Sequence, residues 1–138
     1  MEDRIRFIEH KGKQILLADV SHCTPREVEK IVLLVPSYVT SEPRGSVLLL
    51  ADFTGAEFDR IAIDRLKESA VFDRPHLKRS AWVGIERLPK VFYEHIQSFS
   101  QRDLPAFKTR EEAMEWLVSD EELRLPDRTL GDLSKRPR

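Results

Sequence analysis

A chain of 138 residues suits one domain with a buried core, and a hydrophobic share of 41% is ordinary for a globular protein. Lysine and arginine (23) nearly cancel aspartate and glutamate (24), so the formal net charge of -1 gives no long-range pull toward nucleic acid or an anionic membrane. A single cysteine, Cys23, excludes an intrachain disulfide and points to a reducing, cytoplasmic setting. The longest apolar runs, 31–35 and 47–51, fall far short of the ~20 residues of a membrane-spanning helix, and the charged opening MEDRIRF predicts no secretory leader.

Ile5 and Phe7 alternate with Arg4 and Arg6 in the two-residue period of a strand, and Gly12 marks a turn into a more apolar run, Gln14 to Val20. Residues 4–20 therefore read as an antiparallel hairpin with Asp19 near its end. A helix follows, opened by Thr24 as N-cap, Pro25 behind it and Glu27 three residues on. Val28, Ile31, Val32 and Val35 give it an apolar face, Leu33 and Leu34 broaden that face toward more than one neighbour, and Pro36 is expected to end it. Val47 to Ala51 lacks alternation, as a strand covered on both faces does, and predicts the sheet centre. Phe58, Ile61, Ala62, Leu66 and Ala70 then fall at helical spacing, and residues 80–85, SAWVGI, read as a fourth strand. Leu88, Val91, Phe92, Ile96 and Phe99 form one stripe of a third helix, with His95 and Tyr93 at its margin. LPAFKT supplies a short fifth strand, and Thr109 with Glu112 caps a last helix that turns Ala113, Trp116 and Leu117 inward.

The order ββαβαβαβα predicts a single α/β domain over residues 1–120, with a mixed five-stranded sheet and right-handed crossovers. Residues 121–138 read as a charged C-terminal tail that is mobile or docked on a partner.

The succession of VLLLADFTGAEFD, RSAWVGI and AFKTREEAMEWL along this pattern resembles the SpoIIAA-like, or STAS-like, domains, over about residues 4–120. The resemblance implies a SpoIIAA-like fold in a bacterial branch without assigned enzyme activity. In the anti-sigma-factor antagonists of that family an Asp, apolar, Ser, Gly run follows the central strand, which Asp52, Phe53, Thr54 and Gly55 match, as does Phe58. Those relatives place a phosphorylatable serine a few residues later. The corresponding positions here are Ile61 or Ala62, which have no hydroxyl, so the resemblance implies the scaffold without that phosphorylation switch.

Ligands of α/β sheets gather beyond the carboxyl ends of the strands, which makes Asp52, Thr54, Gly55, Asp59 and Gly84 the candidate loop residues for a ligand or partner. Thr54 with Glu57 is a third T-x-x-E pattern, so Thr54 reads first as a helix N-cap. In the alternative, Asp59 caps and residues 54–58 form a loop that frees Thr54 and Gly55. Asp52 and Lys108 could also be cast as the phosphoacceptor and lysine of a receiver domain, but Asp19 lacks the acidic neighbour that a Mg²⁺ site needs. Cys23 beside His22 reads as a half-buried loop thiol rather than a nucleophile. His10, His22, His76 and His95 have no metal-ligand spacing, and His76 to Arg79, HLKR, reads as a solvated basic turn. No catalytic residue, metal or cofactor is predicted. The expected function is non-catalytic binding or regulation, through an unknown protein partner, a second copy of the chain or a small ligand, with no nucleic acid and no membrane insertion. The second reading, from a looser likeness to CRAL-TRIO domains, is a carrier of a small lipophilic ligand in an apolar pocket walled by Val91, Phe92 and Ile96.

Overall fold

The computed structural model describes residues 2–101 and 104–119, so the predicted tail and the domain edge at residue 120 lie outside the described residues. The order of elements is β1 (Ile5–His10), β2 (Lys13–Asp19), α1 (Pro25–Val39), β3 (Val47–Asp52), α2 (Arg60–Asp73), β4 (Leu77–Val83), α3 (Lys90–Ser100), β5 (Ala106–Phe107) and α4 (Arg110–Val118). The sheet runs β1-β2-β3-β4-β5, antiparallel between β1 and β2 and parallel thereafter. This is the ββαβαβαβα order that the sequence predicts.

All six residues of β3 are buried, which is why its sequence shows no alternation. The period-two geometry of a strand sends Leu49 and Ala51 to one face and Leu48 and Leu50 to the other. On the first face they meet α1, α2 and α3, the three crossover helices. Successive crossovers of one hand moving one way across a sheet must share a face. On the second face, among the described residues, α4 supplies Ala113, Leu117 and Val118 against Ile15, Leu17, Leu48, Leu50, Ala81 and Val83.

Local chemistry sets the helix ends. Thr24 caps α1 with both halves of the capping box, its hydroxyl accepting from the Glu27 amide at 3.3 Å while Glu27 accepts from the Thr24 amide at 2.9 Å. The helix continues through Pro36 to Val39, against the sequence expectation. Proline removes one backbone bond close to the end, and the fully buried Val39 anchors the extra turn, while the Pro36 carbonyl accepts from both the amide and the hydroxyl of Thr40. Leu33 points to solvent, and Leu34 packs at the core edge.

Two further faces differ from the sequence reading. In α2 the inward residues are Ala62, Ile63, Leu66 and Ala70, and Ile61 is 52% exposed. The helix starts at Asp59, five residues later than a Thr54 cap would start it, so only residues beyond 59 share its face. In α3, Ile96 and Ser100 are buried and Tyr93 packs against the core, whereas Val91, Phe92 and Phe99 are turned out. Tyr93 is thus a packing residue. Its ring lies 6.0 Å from that of Trp82 and its hydroxyl donates to the Leu104 carbonyl. The segment HLKR is no solvated turn either, since Leu77 to Arg79 open β4 and Arg79 donates to the Trp116 carbonyl at 2.7 Å with its guanidinium over the indole.

The phase of α2 is checked by denaturant unfolding. Ile63→Ala is expected to lose about 2–4 kcal/mol, and Ile61→Ala less than about 0.5 kcal/mol; equal losses would contradict this packing.

Candidate functional site

Parallel pairing of β2 with β3 sets Asp19 directly beside Asp52, so two carboxylates end adjacent strands. Each organises the loop that follows it in the same way. Asp19 Oδ1 accepts from the amide and hydroxyl of Ser21 at 3.1 and 2.6 Å, and Asp52 Oδ1 accepts from the amide and hydroxyl of Thr54 at 2.9 and 2.6 Å. Arg110, the first residue of α4, joins the pair. Its Nε donates to Asp52 Oδ2 at 2.6 Å, and its terminal nitrogen lies 3.2 Å from Asp19 Oδ1. Arg4 completes the group, 3.8 Å from Asp19 and donating to the carbonyls of Asp19 and Ser21.

These contacts settle the roles of several sequence-predicted residues. Thr54 is not the cap of α2, because its hydroxyl and amide are both bound to Asp52 and Gly55 follows at φ +70°, outside the helical region. Asp59 caps instead, accepting from the Ala62 amide at 2.8 Å, and residues 54–58 form the loop of the alternative reading. Gly84, at φ +69°, lies so close to Thr54 that a Cβ there would fall 2.6 Å from the Thr54 Cα. A Cβ on Gly55 would likewise fall 2.7 Å from His22 Cε1. Main-chain bonds close the same seam, from Val20 to Asp52, His22 to Thr54, Phe53 to Val83 and Glu57 to Cys23. Asp52, Thr54, Gly55 and Gly84 are therefore brought together, with Asp52 and Gly84 buried and Thr54 at the surface. Asp59 stands apart, on a groove described below.

The sequence leaves Asp19 without an acidic neighbour, and the sheet register supplies Asp52. Asp52 is taken by Thr54 and Arg110, while Lys108 is exposed and its amide donates to Glu112. Arg110 is the functional-looking residue that sequence reasoning missed. A cation in the first turn of a helix opposes the helix dipole, and that misfit was the available signal, because two carboxylates offset it here. Among the described residues no group of three or more His, Cys, Asp or Glu side chains could hold a metal ion.

Electrostatics agree with a structural seam. Burial alone pushes the Asp19 carboxyl up, but the hydroxyl and amide of Ser21, then Arg110 and Arg4, outweigh it and hold it below the usual carboxylate range. Burial pushes the Cys23 thiol up, and the sulfur is almost fully enclosed, so the thiolate is disfavoured near neutral pH.

Two spaces lie on the side of the sheet that carries α1, α2 and α3. Between α1, α2 and the sheet an apolar void of about 40 Å³ is lined by Val32, Leu49, Leu66 and Trp82. Near the N-termini of α2 and α3, Phe58, Asp59, Ile63, Lys67, Arg87 and Phe92 line an open groove of about 430 Å³.

No family model matches the chain, and no curated protein matches it. Solved structures do, among them that of an uncharacterized protein from the DUF3478 family with a SpoIIAA-like fold from Shewanella loihica PV-4. It is 18% identical, with a TM-score of 0.62, over 82% of this chain and 91% of that one. The fold is SpoIIAA-like. Within it the run Asp52 to Gly55 is the turn from the central strand toward α2, and Ile61 and Ala62 occupy the first turn of that helix.

The sign of the Asp19 shift gives a prediction. A carboxyl held low in the folded chain stabilises it above the unfolded value near 3.8, and that contribution is lost as pH falls through the folded value. Ser21→Ala is expected to destabilise the protein by about 1 kcal/mol at neutral pH, with the difference from the parent chain shrinking as pH falls below the unfolded value of 3.8 and through the folded one. Urea unfolding across that range measures it, and a difference independent of pH would contradict the assignment.

Proposed function

We propose that this SpoIIAA-like domain is a non-catalytic binding or regulatory module that engages a protein partner through the outer surface of α2 and α3. The carrying observation is where large apolar side chains meet solvent. Ile61, Val71 and Phe72 on α2 and Val91, Phe92 and Phe99 on α3 are all exposed, leaving Leu33 on α1 as the only other large exposed hydrophobic among the described residues. Apolar surface gathered on two adjacent helices marks an interaction face more than a solvated one.

The strand-end chemistry supports the non-catalytic reading. Both oxygens of Asp52 are engaged, one by Thr54 and the other by Arg110, so the carboxylate is committed within the fold. A carrier needs several hundred cubic ångströms of enclosed apolar space, against which a void of about 40 Å³ is small. Val91, expected to wall such a pocket, faces outward, and Phe92 lines an open groove and no enclosed cavity.

Crosslinking in lysate of the source cells, with mass-spectrometric identification of the product, tests the proposal. The parent chain is expected to give a defined adduct, with another protein or a second copy, that Phe72→Ser/Phe99→Ser loses while its melting temperature stays within a few degrees. An adduct indifferent to both substitutions, or no adduct at all, would argue against this face.

A further inference from the structure

The groove near the N-termini of α2 and α3 has a lining that its neighbours on the proposed partner face lack. Its floor is apolar, formed by the half-buried Phe58, the buried Ile63 and the ring of Phe92. Its rim is cationic, with Arg60, Lys67 and Arg87. Among the described residues, neither Arg60 nor Lys67 has a carboxylate within ion-pair distance. Arg87 reaches only Glu57, at 3.7 Å between two side chains that are each 60% exposed. Such a pair is worth little in water, so the guanidinium stays available. The ammonium of Lys67 lies over the ring of Phe99, 5.3 Å from its centroid, which places the charge at the groove's edge.

Two carboxylates also line the groove. Asp59 is occupied in capping α2, and Asp64 lies one turn further along. With Glu57 beside Arg87, three cations meet three carboxylates and the groove is close to neutral as a whole, so an anion is favoured by the placement of Arg60 and Lys67 and there is no excess of charge for a polyanion. The unbonded amides at the start of α2 add to the same sign. A volume of about 430 Å³ lies within the ~300–1,000 Å³ of small-molecule sites.

We infer that this groove binds a small amphipathic monoanion, an aromatic or short-chain carboxylate or sulfonate, with its apolar body on Phe58, Ile63 and Phe92 and its charge between Arg60, Lys67 and Arg87. The inference rests on reading the domain as a binding module, and it assigns that module a ligand class at a site next to the partner face. Two charge-assisted hydrogen bonds and a desolvated ring are the interactions that such a ligand gains here. A neutral analogue forfeits the first and inorganic phosphate the second.

The test is titration of the pure chain with 2-naphthoate, followed by amide chemical shifts. Saturable shifts are expected at residues 58–67 and 87–95, with affinity about tenfold lower for the neutral 2-naphthalenemethanol and no saturation with inorganic phosphate. Arg60→Gln/Lys67→Gln, both outside the core, is expected to weaken naphthoate about tenfold without changing the melting temperature, and Phe72→Ser to leave it unchanged. Absent shifts, shifts spread beyond the groove, or equal affinity for the neutral compound would overturn the inference. Absent shifts together with a crosslinked adduct that depends on Phe72 and Phe99 would overturn the ligand alone and leave the partner reading standing.

Discussion

Burial of β3 on both faces, from Val47 to the carboxylate of Asp52, is the constraint on which the rest of the structure depends. A strand with no solvent face needs cover on both sides, and among the described residues three helices cover one side and α4 the other. A nine-residue helix with a modest apolar face needs holding in place. Arg110 grips Asp52 and Asp19 at its start. Near its end the Trp116 carbonyl and ring take Arg79, the Val118 carbonyl takes Lys13, and Glu115 meets Lys11 and His10. The same contact answers the need of Asp52, since an ionised carboxylate at 5% exposure is costly without a charged, hydrogen-bonded partner.

Two structural consequences follow from this arrangement. Strand ends that in many α/β sheets border a ligand crevice are here drawn together by side-chain and main-chain bonds into a seam, with Gly84 pressed on Thr54 and Gly55 on His22. At the far edge of the sheet β5 has only two residues, too narrow a platform to cover α3 fully. Only Ile96 and Ser100 of that helix are buried, and Phe92 and Phe99 stay open. Surface available for binding thus shifts from the strand ends to the adjoining helices.

Signals that act over a few residues were legible in the sequence. The element order, the doubly covered strand and the caps at Thr24 and Thr109 all depend on near neighbours, and all are present. Thr54 has the same T-x-x-E pattern as those two caps but loses its role to Asp52, two residues behind it, and Gly55. Of the two isoleucines of α2, Ile63 packs inward and Ile61 faces solvent, a choice made by the neighbours that the helix meets. The stripe of α3 was misjudged because helical spacing identifies an apolar face without saying whether a neighbour is wide enough to cover it. Arg110 lies 58 residues from Asp52, and no local pattern connects them. The groove lined by Phe58, Ile63 and Phe92 is equally non-local, drawing on the loop before α2, both helices and the loop after β4.

A double-mutant cycle over Asp52→Asn and Arg110→Gln, read by denaturant unfolding at neutral pH, tests most directly whether the strand-end cluster is a structural clasp. A clasp predicts a coupling energy of about 1–3 kcal/mol, the double variant losing less than the two single losses added together. Losses that add to within about 0.3 kcal/mol would contradict it.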